Sequence, residues 1–517
     1  MLQCDATMRM TQPSLQDAGQ LLPELFALAG LCTSDGAAIP NVRISAIVDD
    51  SRSVRRGACF FAVRGVGRDG HHFIPAAVAA GATAIIVDRD VPIPSGLAVV
   101  RVADTRVALA KLASAFYGIA GAARPLRIVG ITGTNGKTTV AWLIRSIIQA
   151  AGQRTALFGT VEYDLVGEKR PAPLTTPGSI DLCRDLALAR DAGATFAVLE
   201  VSSHALDQHR CDGLPFAAGV FTNLTGDHLD YHKTMDAYFA AKRRLFEMLA
   251  PSASAVVNLD DPMGALLMSS SAAPVVTYGI ESSACQVRAE IESMDRWGTR
   301  LVVRGPSMEW PLHTPLIGRH NVLNILAAVA TGTALGIAPE AVRNGIEQVS
   351  GVPGRLQRAE PPDWPYSVFV DYAHTDDALG NVLRTLRPLT TGSLRCVFGC
   401  GGDRDRTKRP RMAAIAGTLA DVAYVTSDNP RTEDPHAIID EILAGFSPSH
   451  DCRIVVEVDR KRAISAALLD AEPGDTVLIA GKGHETYQLV GDRVLPFDDV
   501  EVARNWMDSV SLAEVVA

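Results

Sequence analysis

The segment Gly130-Ile131-Thr132-Gly133-Thr134-Asn135-Gly136-Lys137-Thr138-Thr139 constrains this 517-residue chain more than any other. An apolar run, 126–131, precedes it, and a helical pattern, 140–148, follows. Strand, glycine-rich turn and helix in that order call for an α/β layer, with the helix packed back on its own sheet. The turn also has a chemical reading. Small residues let backbone N–H groups approach a polyphosphate, and the helix aims its positive end at the anion. Lys137 then faces the terminal phosphates and Thr138 a Mg²⁺ ion. The common phosphate loop has a glycine six residues before its lysine. Here that position is Ile131, and the glycines fall at 130 and 133 instead. A chance glycine-rich turn is the bland alternative, and Gly-Lys-Thr placed between strand and helix argues against it.

At roughly one domain per 150 residues, the length predicts three domains. The balance of 49 basic against 58 acidic residues gives a net charge of −9, which argues against nucleic acid or an anionic membrane as the main partner. Nine cysteines, scattered from Cys4 to Cys452, do not form a disulfide framework. Cys396 and Cys400 lack a second pair at zinc-finger spacing and read as small buried hydrophobes. The first residues carry no apolar run of signal-peptide type. The longest apolar stretch, 322–338, is broken by Asn324, Thr331 and Thr333, so no membrane span is expected. These features together predict a cytoplasmic protein.

Short apolar runs alternate with helical patterns from Ile44 onward, the signature of α/β architecture with largely parallel sheets. The pattern predicts strands near 44–48 and 84–87 and a helix over 107–117. Gly351-Val352-Pro353-Gly354 is a clear breaker cluster. Beyond it, four apolar strands each run into a polar or glycine-rich loop: SVFVDYAHTDD, LRCVFGCGGDRDR, AYVTSDNPRTEDP and TVLIAGKGHETY. Open α/β sheets bind ligands in such loops. The expected division is 1–106, 107–352 and 353–517.

Four constellations carry chemistry. Glu200 ends the apolar run 197–199, where a carboxylate beside a phosphate loop can hold Mg²⁺ or simply cap a helix. Asp227-His228-Leu229-Asp230-Tyr231-His232 reads as an acidic helix start, with no partner to support zinc. Lys242 falls on the stripe of Met235, Tyr238, Phe239, Leu245, Phe246 and Leu249, whereas Lys233, Arg243 and Arg244 lie off it. A buried ammonium has to be paired or lose its proton. A snorkelling stem or salt bridge is one reading; a neutral amine that takes up CO₂ as a carbamate is the other. In the last segment, the 402–411 loop, Asp428-Asn429-Pro430-Arg431 and Gly481-Lys482-Gly483-His484-Glu485 could be plain solvated turns. Together they suit a zwitterion, with arginine on a carboxylate and glutamate on an ammonium. Gly399-Cys400-Gly401-Gly402 does not complete a dinucleotide fingerprint, because Arg404 takes the last position.

As a set, these residues resemble the Mur ligase family of ATP-dependent amide-forming enzymes of peptidoglycan synthesis, and within it the diaminopimelate-adding members. The likeness runs from Asp50-Ser51-Arg52 to GKGHETYQ and includes GTNGKTT, Thr175-Thr176-Pro177, EVSSH at 200–204, TNLTGDHLDYH, PGRLQ at 353–357 and DYAHT at 371–375. It implies three α/β domains: a small UDP-binding one, a central phosphate-loop one with a mostly parallel sheet, and a Rossmann-like C-terminal one. It implies that Gly133, Thr134, Asn135, Gly136, Lys137, Thr138 and Thr139 bind ATP phosphates, with Asn321 and Asn324 on the adenine side and Arg355 and Asp371 reaching ATP from the last domain. Thr138 and Glu200 would hold one Mg²⁺; Glu200, His228 and a carbamylated Lys242 would hold a second. Lys137, Glu200, His228 and Lys242 are thus the implied catalytic set. Asp49, Ser51, Val66, Gly67 and Arg68 would meet the UDP-sugar, and Thr175, Thr176, Ser202, Gln208 and Arg210 its peptide arm. Arg404, Asp428, Asn429, Pro430, Arg431, Gly481 and Glu485 would receive meso-diaminopimelate, with Arg431 on the distal carboxylate that lysine lacks. One departure is Asp376, where the family usually has proline, which puts the rigidity of that loop in question.

The implied reaction joins the D-glutamyl γ-carboxylate of a UDP-muramoyl dipeptide to diaminopimelate through an acyl phosphate, as a monomer acting on small molecules. Three other readings remain. The same chemistry with L-lysine differs only in the amine. A folate-polyglutamate ligase shares the GTNGK loop but needs neither a UDP-binding domain nor the DNPR loop. A phosphate-loop ATPase or GTPase switch would release phosphate without acceptors and form no amide.

Overall fold

The computed structural model describes residues 19–65, 67–94, 96–306, 308–447 and 451–510. Val66, one of the implied sugar contacts, lies outside the described residues. The chain divides into two compact units. One runs to Ile128 and takes in 176–197 and 204–215; the other comprises 129–175, 198–203 and the chain from Phe216.

In the first unit, strands Ala46–Val48, Ala58–Phe61, Ala84–Val87 and Ala98–Arg101 form a four-stranded parallel sheet in sequence order. Ala58–Phe61 and Ala84–Val87 are buried at every position, as strands covered on both faces must be. Leu22, Phe26, Leu109 and Leu112 pack on one face, Ile74 and Ala77 on the other. Helix Thr105–Phe116, capped by the Asp104 carboxylate on the Arg106 and Val107 N–H groups, brings Leu109 and Leu112 into this core. It therefore crosses the expected division at 106/107.

The second unit holds two large sheets. The first has eleven strands, in the order Lys169–Pro171, Glu162–Asp164, Thr155–Phe158, Phe196–Glu200, Arg127–Thr132, Phe216–Phe221, Ser254–Asn258, Val275–Gly279, Val287–Asp295, Gly298–Gly305 and Met308–Thr314. Strands from Phe216–Phe221 to Val287–Asp295 pair in parallel, and both edges turn antiparallel. Short, continuously apolar strands mark the parallel centre. At the long edge hairpin, exposed and buried residues mix, because one face meets water.

The second sheet orders its strands Gln357–Arg358, Ser367–Asp371, Thr476–Ala480, Leu394–Phe398, Val422–Val425 and Arg453–Val456, all parallel except the first pair. Helices Asp376–Leu386, Lys408–Leu419 and Pro435–Leu443 cover one face; Arg460–Leu469 and Asp499–Ser509 cover the other. This doubly wound layer is Rossmann-like, and the loops DYAHTDD, GCGGDRD, SDNPR and GKGHE all leave the carboxyl ends of its strands. Cys396 and Cys400 are buried within it as free thiols.

Candidate active site

The phosphate loop shows why Ile131 stands where a glycine is common. Strand Arg127–Thr132 continues through that position: the Ile131 side chain is fully buried and its carbonyl accepts the Val201 N–H at 2.8 Å. Gly130 is a packing glycine, since a Cβ there would press on the Phe216 ring and Leu245. The turn itself begins at Gly133 and ends at Gly136, whose φ of 87° opens helix Lys137–Ala150. A side chain at Gly133 would overlap Thr222 Oγ1, and one at Gly136 would overlap Asn324 Oδ1.

Lys137 folds back over the loop, donating to the Gly133 carbonyl at 2.9 Å and the Thr134 carbonyl at 2.8 Å. Burial lowers its pKa, while the Glu200 and Asp227 carboxylates oppose that shift. Glu200 is 1% exposed. Its Oε2 accepts from Thr138 Oγ1 and Thr160 Oγ1, both at 3.0 Å, and its Oε1 accepts the Thr160 N–H at 2.9 Å. The donor set fits Mg²⁺, a hard ion held by oxygen. Two cis ligands at about 2.1 Å in an octahedron lie about 3 Å apart, the spacing of Thr138 Oγ1 and Glu200 Oε2.

Lys242 sits on helix Met235–Glu247 and is 1% exposed, as its place on the apolar stripe requires; Met235, at the start of that stripe, stays exposed. Its ammonium does not snorkel, and among the described residues it meets no carboxylate. It donates to the Gly133 carbonyl at 2.7 Å and lies 4.3 Å from the centre of the Tyr238 ring. Burial, with Lys137 adding like charge, pushes its pKa well below the usual lysine value. His228 takes a left-handed conformation before the short helix Leu229–His232, beside Asp227. His232 instead turns inward to Ser203 Oγ at 3.0 Å, so the two histidines do not act as a pair.

One cleft gathers Thr134, Lys137, Thr138, Glu200, Ser202, His228, Lys242, Asn321, Asn324, Arg355 and Asp371. Asn324 Nδ2 donates to Asn321 Oδ1 at 3.0 Å, and Asn321 Nδ2 to the Ile317 carbonyl at 2.8 Å, which fixes both amides. Arg355 donates to Thr138 Oγ1 at 3.1 Å and stacks 4.8 Å from the Tyr372 ring centre. Asp371 accepts the Leu356 and Ala373 N–H groups at 2.6 and 2.8 Å, which ties the two loops together. Thr160, Tyr238, His320, Tyr372 and His374 also line the cleft. Tyr372 and His374 belong to the DYAHT segment and Tyr238 to the apolar stripe of its helix, yet nothing in those patterns marks them as cleft residues; Thr160 and His320 lie in no motif with a spacing rule.

The remaining implied residues form three groups. In the first unit, Arg210 donates to Gln208 Oε1 at 2.8 Å and to the Thr176 carbonyl at 2.9 Å, so three peptide-arm residues meet. Ser51 opens a 3₁₀ turn capped by Asp50, and burial raises the Asp49 carboxyl above its ordinary range. Gly67 has open space around it, and the Arg68 carbonyl closes the turn on the Gly65 N–H. In the second unit, Thr175 Oγ1 lies 3.1 Å from Thr160 Oγ1, beside Glu200. At the C-terminal sheet, Arg431, at φ 54°, donates through Nη1 to the Gly402 carbonyl at 2.8 Å. Its guanidinium flanks Gly401 with Arg404, while Asn429 Nδ2 donates to Glu485 Oε2 at 2.8 Å. Gly354, at φ 65°, leaves room for the backbone of Gly483 and His484, which brings the GKGHE loop against the Arg355 loop.

The phosphate loop faces a buried glutamate, and loops bearing arginines and carboxylates leave a second sheet; the class of protein that combines such parts, the ATP-dependent ligases, is also the one the sequence profiles identify. The sequence profile of the Mur ligase middle domain matches residues 131–332, that of the Mur ligase glutamate ligase domain residues 354–483, and that of the Mur ligase family catalytic domain residues 43–117. The chain belongs to the Mur ligase family. It is 48% identical over 480 residues to UDP-N-acetylmuramoyl-L-alanyl-D-glutamate–2,6-diaminopimelate ligase of Geobacter metallireducens, covering 89% of this chain and 93% of that protein. A solved structure of a ligase of the same description superposes with a TM-score of 0.70 at 33% identity, covering 95% of this chain and 99% of the other. Mycobacterium tuberculosis folylpolyglutamate synthase shares the fold at 20% identity and a TM-score of 0.58, over 74% of this chain.

Proposed function

We propose that this chain adds meso-diaminopimelate to UDP-N-acetylmuramoyl-L-alanyl-D-glutamate at the expense of ATP, forming an amide in a peptidoglycan precursor. The observation that carries the reading is identity of 48% to a ligase of that description across nearly the whole chain. The three working parts are then the expected segments 1–106, 107–352 and 353–517, for UDP-sugar, ATP and amino acid in turn. The protein acts as a cytoplasmic monomer; among the described residues no helix is long and apolar enough to cross a membrane.

In the first step a γ-carboxylate oxygen of the D-glutamyl residue attacks the γ-phosphorus of ATP, and ADP leaves with the bonding electrons. In the second, the amine lone pair attacks the acyl carbon, the C–O bond to phosphate breaks, and the amine proton passes to solvent. The chain contributes position and charge. Lys137, released from the Gly133 and Thr134 carbonyls, follows the transferring phosphoryl group. Gly133 to Thr139 cradle the phosphates, Asn321 and Asn324 border the adenine, and Arg355 and Asp371 reach the nucleotide from the C-terminal sheet. Thr138 and Glu200 would hold one Mg²⁺, and Glu200, His228 and carbamylated Lys242 a second. These ions supply charge neutralisation at the phosphate and carboxylate oxygens. Arg431, held through Nη1 by the Gly402 carbonyl, offers its guanidinium to the distal carboxylate of diaminopimelate, and Asp428 and Glu485 face its ammonium groups.

The test is a reaction containing ATP, Mg²⁺ and the UDP-muramoyl dipeptide, with meso-diaminopimelate and L-lysine offered together and the product weighed by mass spectrometry. The expected product carries diaminopimelate. Equal incorporation of lysine would reject the amine assignment, and phosphate release without any amide would reject the ligase reading in favour of an ATPase.

A further inference from the structure

We propose that Asp377 is a positioning residue that couples ATP cleavage to amide formation, by holding the loops of the C-terminal sheet on the phosphate loop. This rests on the proposed ligase reading and on the acyl phosphate that it requires. The phosphate loop and the 222–225 loop form one bonded platform. The Thr134 N–H donates to the Asn223 carbonyl and the Asn135 N–H to Asn223 Oδ1, each at 2.9 Å. Thr222 Oγ1 donates to the Asn135 carbonyl at 2.6 Å, and the Thr225 N–H to Thr134 Oγ1 at 3.0 Å. Asp377 Oδ2 grips this platform at both loops, accepting from Thr225 Oγ1 at 3.1 Å and from Asn135 Nδ2 at 3.4 Å. Among the described residues no cation pairs with it, whereas its neighbour Asp376 pairs with Arg411.

The chain on either side of Asp377 leads to the loops of the C-terminal sheet. Asp377 is the second residue of helix Asp376–Leu386, which follows the DYAHT loop directly. In that loop the Tyr372 N–H donates to the Gly354 carbonyl at 2.8 Å, Asp371 accepts the Leu356 N–H, and the His374 carbonyl accepts from Lys408 Nζ at 2.9 Å. Gly354 in turn lies against Gly483 and His484. One carboxylate therefore ties the platform to the Arg355 loop, the GKGHE loop and the loop before Lys408. The same helix lines the nucleotide cleft through Ala378, Asn381 and Val382. An acyl phosphate formed there has two fates. In one, the amine lone pair attacks the acyl carbon and the amide forms. In the other, a water oxygen attacks that carbon, the C–O bond to phosphate breaks, and carboxylate, phosphate and a proton are released, so ATP is consumed without an amide. Loops held on the platform favour the first fate by keeping the amine in reach and water out. A net hydrogen bond to a charged group shifts such a held-to-released balance by about tenfold.

The decisive readout is phosphate released per amide formed, at saturating ATP, UDP-muramoyl dipeptide and meso-diaminopimelate, after subtraction of the release seen without the dipeptide. A merely structural Asp377 would lower phosphate and amide together and leave that quotient as it was. The unaltered chain is expected to release equal amounts of the two. Asp377→Ala should raise the quotient severalfold, up to about tenfold. Thr225→Val keeps the shape of the partner but removes its donor, and should raise the quotient in the same way. Asp376→Ala takes a carboxylate from the same helical turn without touching the platform, and should hold it. Should Asp377→Ala fail to fold, Thr225→Val carries the test from the other end of the bond. An unchanged quotient in either folded variant overturns the proposal. An equal rise in Asp376→Ala overturns it too, by assigning the effect to charge at the helix terminus. If the unaltered chain forms no amide, the ligase reading itself fails; if it forms amide and phosphate equally and the variants do likewise, only the role of Asp377 falls.

Discussion

Lys242 sets burial against charge, and among the described residues no carboxylate pairs with it. A sealed amine held by one carbonyl and one aromatic face favours its neutral form, the form that reacts with CO₂. Exposure to ¹³C-bicarbonate should produce a carbamate carbon signal that is absent from Lys242→Ala. That variant should lose most ligase activity and recover part of it with a short carboxylate; recovery with none would leave Lys242 as a packing residue. Arg431 makes the complementary case on the loops of the C-terminal sheet that we propose receive the amino acid. Loss of a charged clamp costs about 1.5–3 kcal/mol, so Arg431→Ala should raise the KM for diaminopimelate roughly 10- to 150-fold while sparing that for ATP. Both residues were legible in the sequence, Lys242 by its helical period and Arg431 by its place after a strand. Asp377 was visible only as one of two acidic residues after DYAHT. Its partners Thr225 and Asn135 come from positions 152 and 242 residues away, a closure set by how two sheets meet and by no local period.

At the scale of elements, helix Asp376–Leu386 shows how the chain manages without the usual proline. Thr375 caps the helix through Oγ1 on the Ala378 N–H, in extended geometry at φ −123° and ψ 159°. Asp376 and Asp377 place negative charge in the first turn, and Asp376 pairs with Arg411 at 3.3 Å. Asp377 reaches further, accepting from Thr225 Oγ1 at 3.1 Å and from Asn135 Nδ2 of the phosphate loop at 3.4 Å. Position 376 is the first helical residue, where proline fits, and Thr375 already has the conformation that a following proline demands. Asp376→Pro should therefore change stability by less than about 1 kcal/mol, the lost exposed ion pair offsetting the reduced entropy of the unfolded chain. Denaturant unfolding checks this, and a loss of several kcal/mol would show that Asp376 does more than cap. The sequence marked the parallel strands well because each is a short apolar run. It did not mark strand Arg453–Val456, half-exposed at the edge of the sheet, or the hairpin of Tyr487–Val490 and Arg493–Pro496, where burial imposes no pattern.

Across the whole molecule, the motifs that were legible are those where chemistry fixes residue type; the order in which strands bring them together is not written in any one of them. Strand Thr476–Ala480 enters between Ser367–Asp371 and Leu394–Phe398, and this insertion carries the GKGHE loop to both the Arg355 loop and the DNPR loop. The arrangement half-buries two imidazoles, with consequences for the protein's response to acid. His484 packs against the Tyr372 ring, 5.0 Å between centres, and His320 stands in the first turn of helix Arg319–Ala334 near Thr385. Burial pushes both down to about 4 from the ordinary 6.5. The unfolded chain therefore binds more protons than the folded one between those values, and stability falls as pH drops from about 6.5 towards 4. Both rings keep a partly open face, so the loss is on the order of 2 kcal/mol for each. Glu433 acts in a lower window. The guanidinium of Arg409 holds its carboxyl down to about 2, so that stabilisation is lost only as pH falls from about 4.5 towards 2. Thermal unfolding of the unliganded protein should thus show a midpoint that declines through pH 6 and 5. His320→Asn combined with His484→Gln should flatten that part of the profile and leave the decline below pH 4.5 in place. A decline of equal slope in the double variant would assign the acid sensitivity to other groups.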